Sequence, residues 1–375
     1  MCISNPMKNL LLVIFISAAS LQSSIAQKFV NEFLNIGVGA KAHGMFGSVV
    51  AHVDDATAGY WNVAGLTQME APLQISAMHT NWFGGIANYD YLSVAKKFNG
   101  KRNAAGGFTI IRMGVDNIPN TLNLIGADGT VNYDRITTFS TSDYAAILSY
   151  AQDMNEKGNF SVGGNIKIIN RTIGSFGGAW GFGADLGAQW RGENFSFGAA
   201  ARDITTTFNA WSFNLTEEEK LIFQKTDNDI PVSSTELTLP RLILGAAFHT
   251  KKGKMSYLAE ADLNISTNGT KAGVFSSNRY AIDPTIGVEV GFANRVFIRA
   301  GVGNIQSVIN PSAIDAIERT LEFQPNIGMG LKLGRLNVDY ALTNIGSVSG
   351  ILVSHVFSVT LDFNARTNTA DEVVE

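Results

Sequence analysis

The residues best placed to do chemistry are four ionisable side chains that stand among small neighbours: Glu260, Glu289, Arg299 and Asp339. If they face one enclosed space, Arg299 can pair with the carboxylates and form a charged network there. Two interpretations stay open, namely charges that brace and solvate an interior, and charges that bind a ligand. Bracing is the more common reason for such a network, and it is our expectation.

Motifs for catalysis and for metal or nucleotide binding are missing. The five histidines are scattered, none stands in a His-Glu-x-x-His pattern, and the only cysteine is Cys2. The glycine pairs at 37/39 and 181/183 do not open a long helix after a buried strand, as a nucleotide loop would. We therefore expect no enzyme, no metal and no cofactor. The net charge of −4 gives no reason to expect nucleic acid as a partner.

The elements that carry these charges alternate with a period of two. In Trp180–Trp190, one face is aromatic and aliphatic, while the other carries glycine, Asp185 and Gln189. Aromatic residues at both ends of the apolar face match the two interfacial girdles of a strand that spans a bilayer. Fourteen such strands are predicted, at 73–82, 89–98, 103–113, 143–152, 160–169, 179–190, 195–204, 237–249, 255–264, 283–292, 296–303, 321–332, 336–342 and 354–363.

The connections between these strands alternate in length. Six are tight turns, at 99–102, 155–158, 191–194, 251–254, 293–295 and 334–335. Long, irregular loops are predicted at Gly114–Ser142, Thr205–Glu236, Ser266–Ile282 and Asn304–Thr320. Bacterial outer-membrane barrels have short periplasmic turns and longer extracellular loops. We predict an all-β fold: a fourteen-stranded antiparallel transmembrane β-barrel over residues 71–364, surrounded by outer-membrane lipid. Alternation alone would also allow a soluble all-β protein.

Export to that membrane is indicated by the first 26 residues, which have the pattern of a signal peptide. Lys8 precedes the apolar run Leu10–Ala19, and the small residues at 24 and 26 form a cleavage site. Gln27 is then the first mature residue, and residues 365–375 form a polar C-terminal tail.

Residues 27–70 lack the strand pattern, and we predict that they form an N-terminal hatch inside the barrel. Four glycines within eleven residues require positive φ or close backbone approach. We expect a short helix in Phe29–Ile36, a small strand at Val49–Val53, and a helix over Ala56–Trp61 after two aspartates. The predicted hinge residues are Gly37, Gly39, Gly44 and Gly47, and the predicted anchor to the inner wall is Tyr60, Trp61 and Asn62.

The loop Thr205–Glu236 is predicted to hold a short helix on the extracellular rim. Thr216 is its N-cap, and Glu219 stands three residues later, as in a capping box. The apolar side of this region consists of Trp211, Phe213, Leu221 and Phe223. Packing of the loop over the barrel is our expectation, and a surface that docks a partner is the alternative.

The opening of the mature chain resembles a known family. FLNIGVGAKAxGMxG from Phe33 and DDAxAxYWNxAGL from Asp54 resemble the start of PorV/PorQ-type outer-membrane proteins, which are similar in fold to FadL-like fourteen-stranded barrels. IANYDY at 86–91, FSTSDYA at 139–145 and ARDITTTFN at 201–209 resemble the PorV-type branch of Bacteroidota. The chain departs at Phe46, where the family commonly has glycine, and at Val63, where it has proline.

This resemblance implies a non-enzymatic component of the type IX secretion system. Its extracellular loops and rim would recognise exported proteins that carry C-terminal sorting domains, and it would associate with translocon or attachment-complex subunits. The alternative is a FadL-like transporter of hydrophobic small molecules, which needs an apolar pocket near the hatch. Five residues are able to line such a pocket or simply to anchor the hatch: Phe29, Phe33, Leu34, Met45 and Phe46.

Overall fold

The computed structural model describes residues 30–98, 100, 102–125, 129–267, 275–277, 280–309, 319–345 and 353–363. The signal peptide, the polar C-terminal tail and Phe29 lie outside these residues. Within the described ranges, no helix is long and apolar enough to cross a membrane.

Fourteen antiparallel strands close into a barrel. In chain order the strands are β1 Leu73–Trp82, β2 Ala87–Phe98, β3 Ala104–Asn120, β4 Thr137–Asp153, β5 Phe160–Ile173, β6 Gly177–Arg191, β7 Phe195–Arg202, β8 Thr207–Phe213, β9 Thr235–Thr238, β10 Arg241–Lys252, β11 Met255–Ser266, β12 Phe275–Ser276, β13 Ala281–Phe292, β14 Val296–Ile309, β15 Arg319–Leu333, β16 Leu336–Thr343 and β17 Ser354–Phe363. Fourteen of these seventeen strands form the ring, and the short strands β8, β9 and β12 are additions to it. Pairing of β1 with both β2 and β17 closes the ring. The predicted fold class and its fourteen strands are confirmed.

The two faces of each strand meet different surroundings. Trp180 and Leu186 on β6 are 58% and 53% exposed on the outside, where lipid would lie, whereas Asp185 and Gln189 are buried inside. Unpaired charge on a lipid face costs about 2–4 kcal/mol per Arg or Lys at mid-membrane, so the period-two pattern is strongly selected. The tight turns at 155–158, 191–194, 251–254, 293–295 and 334–335 mark the periplasmic end, and the opposite end is extracellular.

The extracellular ends are more regular than predicted. β3 and β4 stay paired beyond the membrane, up to Asn120 opposite Thr137, across a bulge between Val115 and Ile118. Strand β8 lies within the predicted loop Thr205–Glu236 and pairs with β6. β14 and β15 likewise extend into Asn304–Thr320. The prediction of irregular loops is wrong in these parts, because strand pairing continues where the lipid-facing pattern has stopped.

Residues 30–70 fold against the inner face of the ring. Their regular elements are a 3₁₀ turn Glu32–Asn35, helix α1 Ala40–Gly44, helix α2 Ala58–Trp61 and a 3₁₀ turn Val63–Gln68. The expected strand at Val49–Val53 is wrong, because the amides of His52 and Val53 both bond to the carbonyl of Val49 and make a turn. That this segment moves as a hatch stays a prediction, and we keep the name for residues 30–70.

The core lies between the hatch and the wall. Met45 and Leu66 of the hatch are fully buried, and they pack in one cluster with small wall residues such as Ala95, Ala105 and Ala151. The interior of a barrel of this size is filled either by side chains or by water. The small inward side chains of this wall leave space that the hatch occupies. Outside this core, helix α3 Glu217–Lys225 lies on the extracellular rim.

Candidate functional site

Three wall glycines receive the backbone of the hatch. A methyl group on Gly301 would lie 2.5 Å from the nitrogen of Phe46, and one on Gly287 would lie 2.7 Å from Cβ of Met45. On β7, a methyl group on Gly198 would lie 2.6 Å from the carbonyl carbon of Val50. Only glycine permits so close an approach of two backbones. We call Gly198, Gly287 and Gly301 the socket glycines.

The predicted hinge glycines do not all have the same role. Gly37, Gly39 and Gly47 have φ of +98°, +82° and +76°, which L side chains rarely adopt. Gly44 has no positive φ, and a methyl group there would lie 3.0 Å from Cα of Gly328 on the wall. Gly44 therefore shows the close backbone approach that the glycine spacing predicts, and it is a contact with the wall. That these glycines act as a hinge stays a prediction.

The side chains of Tyr60 and Trp61 donate hydrogen bonds to carbonyl groups within the hatch. Trp61 Nε1 donates to the carbonyl of Val38 at 2.9 Å, and Tyr60 Oη donates to the carbonyl of Leu34 at 2.6 Å. The Trp61 ring also fills the space beneath the bend that contains Gly37. The rings therefore fix the fold of the hatch, and they also contact the wall as predicted, because Arg202 of β7 lies over both of them and Tyr60 packs with Ile111 of β3.

Asn62 and a wall arginine make the connection to the barrel. Asn62 Nδ2 donates to Val50 at 2.8 Å within the hatch and to Ala188 of β6 at 3.0 Å. Arg202 of β7 lies 4.4 Å above the Tyr60 ring and donates to the Tyr60 carbonyl at 2.9 Å. A guanidinium over an aromatic face is attracted by the ring quadrupole. The hatch thus has a polar anchor on two neighbouring strands.

Arg299 is the centre of a buried ion-pair network. Its Nε lies 2.5 Å from Glu289 of β13, and its Nη1 lies 2.6 Å from Asp339 of β16. Glu260 is not part of this network, because its Oε1 accepts the amide of Ala51 in the hatch at 2.5 Å. The inclusion of Glu260 in the predicted network is corrected.

A second buried network was not predicted. Lys167 Nζ of β5 lies 2.7 Å from Asp185 and 2.5 Å from Asp203. Asp203 has φ of +55° and stands at the break between β7 and β8. The sequence signal was present, since Arg202-Asp203 belongs to one of the stretches that resemble the PorV-type branch.

Charged groups of the hatch are strongly perturbed at the periplasmic end. Burial lowers the pKa of Lys41, but Asp54 and Asp55, 3.1 and 3.5 Å away, outweigh this effect and hold the pKa above its usual range. At the same end, burial lowers the pKa of His52 to about 3. Burial also lowers the pKa of His43 to about 4, at a position beside Trp82 at the extracellular end of β1. Both imidazoles are therefore neutral while the hatch is packed.

A polar cavity lies beside these groups. It has a volume of about 250 Å³ and separates the hatch from the wall at the periplasmic end. Lys41, Asp54 and the Arg299 network line it, and most of these charges are already paired with each other. Such a cavity suits water better than an apolar ligand.

An apolar pocket lies at the opposite, extracellular end. We call it the rim pocket. It has a volume of about 330 Å³, and its lining residues are Pro119, Asn120, Thr121, Leu122, Phe139, Ile173, Phe176, Phe213, Leu215, Phe223 and Pro231. Phe139 and Phe176 meet edge to face, with ring centroids 5.2 Å apart. No lining residue is charged, so the pocket fits an uncharged apolar molecule.

The four predicted loop residues do not form one surface. Phe213 and Phe223 line the rim pocket, while Leu221 is 53% exposed on α3. Trp211 is buried beneath the guanidinium of Arg171, which lies 5.3 Å from the ring. The four residues therefore do not form the single apolar side that was predicted, and the docking of a partner at this loop stays an alternative. The predicted helix and its capping box are confirmed.

The residues suggested for a pocket near the hatch are packed as anchors. Phe33, Leu34 and Met45 are buried among other side chains. Phe46 has φ of +55°, a strained value for a bulky residue, and its ring lies against Gly303 of β14. The apolar space is instead at the rim, where strand ends, loops and helix α3 from distant parts of the sequence form it.

Comparisons with protein-family models and with curated proteins found no match. Solved structures do match. The CymD monoaromatic hydrocarbon channel has a TM-score of 0.52 at 14% identity, over 88% of this chain and 98% of that chain. The toluene transporter TbuX of Ralstonia pickettii has a TM-score of 0.52 at 14% identity, over 87% and 98%. The toluene transporter TodX of Pseudomonas putida has a TM-score of 0.54 at 12% identity, over 87% and 98%.

These identities establish the fold alone. None of the structures named here carries the name of a PorV/PorQ-type protein, so the likeness to them extends to the barrel fold and no further. The chain is a fourteen-stranded antiparallel β-barrel of the bacterial outer membrane, and its fold is similar to that of these channels.

Proposed function

We propose that the protein is an outer-membrane channel for hydrophobic small molecules and that the hatch closes it at rest. The rim pocket carries this proposal. It is large enough for a ligand of several carbon atoms, it opens at the extracellular end, and four phenylalanines but no charged residue line it. Ligand sites for apolar molecules have this composition.

The fold supports the same proposal. The structures similar to this chain carry the names of hydrocarbon channels and toluene transporters. In this chain the hatch fills the lumen below the rim pocket, so a ligand would have to favour a displaced hatch in order to pass. A ligand shifts such an equilibrium only by its difference in affinity for the two states.

Binding of toluene and of a fluorescent apolar probe to the purified mature protein tests the proposal. Phe176→Asp places a charge in the rim pocket, and we expect at least about a tenfold loss of affinity because an unpaired buried carboxylate is costly. The matched control is Leu221→Asp, since Leu221 is exposed on α3 and does not line the pocket. Equal affinity of both variants, or no binding by the parent protein, would count against transport.

A second candidate is the secretion role that the sequence resemblance implies. Helix α3 supports it, because the capped helix presents Leu221 and the three acidic residues of its first turn at the rim, where a protein partner would dock. Co-purification with a large translocon from native membranes, together with a changed profile of exported proteins after gene deletion, would favour it. An unchanged profile and bound apolar molecules in the isolated barrel would favour transport.

A further inference from the structure

Two carboxyl groups of β11 hold one turn of the hatch. Glu260 and Asp262 are two residues apart, so both face the lumen, and each is only 2% exposed. Asp262 Oδ2 accepts the amides of Val49 and Val50 at 3.1 and 3.3 Å. Glu260 Oε1 accepts the next amide, that of Ala51, at 2.5 Å. Three successive backbone donors of the hatch are thus bound by one strand of the wall.

Each carboxyl group keeps one oxygen without a donor. Glu260 Oε2 and Asp262 Oδ1 are buried and accept no hydrogen bond, although the two side chains contact each other. Two bare carboxylates in contact repel each other, and a buried acceptor without a donor costs about 1–3 kcal/mol. A single proton between the two groups converts one of them into a donor and satisfies both oxygens.

The charged groups around this pair do not provide a substitute donor. Lys41, His52 and Asp55 line a small cavity beside Glu260, but Lys41 is paired with Asp54 and Asp55. Beside Asp262, the directly paired wall residues are Gly245 on β10 and Thr285 on β13. Further along the same strands stand Arg241 and Asp283. Among the described residues, no ion pair involves Glu260 or Asp262.

We infer that Glu260 and Asp262 share one proton and act as a latch on residues 49–51, and that loss of this proton releases the hatch. When the hatch leaves, both groups become solvated and ionise separately. The docked state therefore holds one more proton than the undocked state, and rising pH favours undocking by up to about tenfold per pH unit. This inference rests on the contacts of the hatch and is independent of the proposed transport.

A cysteine reporter tests the latch in the intact mature protein, because the only native cysteine, Cys2, lies in the predicted signal peptide. Val50→Cys, at a fully buried position, is alkylated by a membrane-impermeant reagent only when the hatch opens. Val232→Cys, at a position that is 73% exposed, corrects for the effect of pH on the thiol itself. We expect the ratio of the two labelling rates to rise at least about tenfold between pH 7 and pH 9.5.

Glu260→Gln is the decisive variant, since its amide donates to Asp262 and has no proton to lose. We expect its labelling ratio to stay low and flat over the same range. The matched control, Glu70→Gln, removes a hatch carboxylate whose side chain is 84% exposed and should keep the full rise. Asp262→Asn gives the same expectation if Glu260→Gln fails the heat-modifiability test for a folded barrel. The latch would be overturned if the labelling ratio of the parent protein stayed flat with pH, or if Glu260→Gln and Asp262→Asn kept the full rise. Rapid labelling of both of these variants at pH 7 would also overturn it.

Discussion

A single methyl group on the wall should expel the hatch. In the variant Gly301→Ala, the new Cβ would lie 2.5 Å from the nitrogen of Phe46 and 2.6 Å from the carbonyl oxygen of Met45. Ordinary contacts of this kind are about 3.4 Å or longer, so the two chains must separate by close to 1 Å. Both opposing atoms belong to the backbone, and no side-chain rotation relieves the clash.

The cost falls on the docking of the hatch. Gly301 stands on β14, which is hydrogen-bonded to β13 on one side and to β15 on the other, so the wall is held in place. Overpacking by one carbon costs about 1–3 kcal/mol, which lowers the docking equilibrium constant by about 5- to 150-fold. The barrel itself should stay folded and heat-modifiable.

Two measurements check this prediction. Conductance in planar bilayers and the labelling of Val50→Cys should both rise in Gly301→Ala. The control is Gly107→Ala on β3, where a methyl group would meet no atom closer than 3.5 Å. If both variants behave alike, or if Gly301→Ala stays closed, the close approach seen at the socket glycines does not determine docking.

Three further predictions concern the hatch and helix α3. Removal of residues 28–48 should leave a folded barrel but raise its conductance. An equal, near-zero conductance of the shortened and the intact protein would show that loops close the pore. The hatch should loosen in acid: His43 and His52 are held neutral, with pKa values of about 4 and about 3 against an ordinary 6.5. The contribution of each neutral histidine to the docking of the hatch is complete above pH 6.5. It falls by about 1.4 kcal/mol per pH unit below that value, until the pKa of the packed state is reached. Labelling of Val50→Cys that is constant from pH 7 to 4.5 would refute this. Thr216→Ala removes the side-chain oxygen that accepts the amide of Glu219 at 3.2 Å, and it should weaken α3 by about 1 kcal/mol. We expect faster proteolysis of this loop and an unchanged melting temperature of the barrel. Unchanged proteolysis would contradict this prediction.

The barrel was predictable because lipid imposes a repeating rule on every strand. Trp180–Trp190 shows the alternation and both girdle aromatics, and the tight turns fix where each strand starts. The rule ends at the membrane surface. Beyond that surface no lipid borders β3 and β4, so their extension to Asn120 and Thr137 leaves no such pattern, and the sequence predicts a loop there.

The interior was less predictable, because it depends on which atoms of the hatch meet which part of the wall. The period of two placed Glu260 and Arg299 correctly in the lumen, but only the position of Ala51 shows that Glu260 binds the hatch. Gly301 is one of many strand glycines in the sequence, and nothing local distinguishes a socket from an ordinary glycine. The rim pocket combines Phe139 of β4, Phe176 between β5 and β6, and other residues that are far apart in the sequence.

The course of the hatch through the lumen fixes the order in which this protein can be assembled. Asn31 bonds to β9 at the extracellular end, whereas Glu70 lies near Lys332 at the periplasmic end, and β1 follows directly. β1 then pairs with β17, from Leu73 opposite Phe363 onward, and joins the first strand to the last. Pushing a packed segment through a finished ring would require threading, which native chains avoid. We therefore expect the N-terminal segment, which is synthesised first, to lie on the open sheet before the seam between β1 and β17 closes the ring.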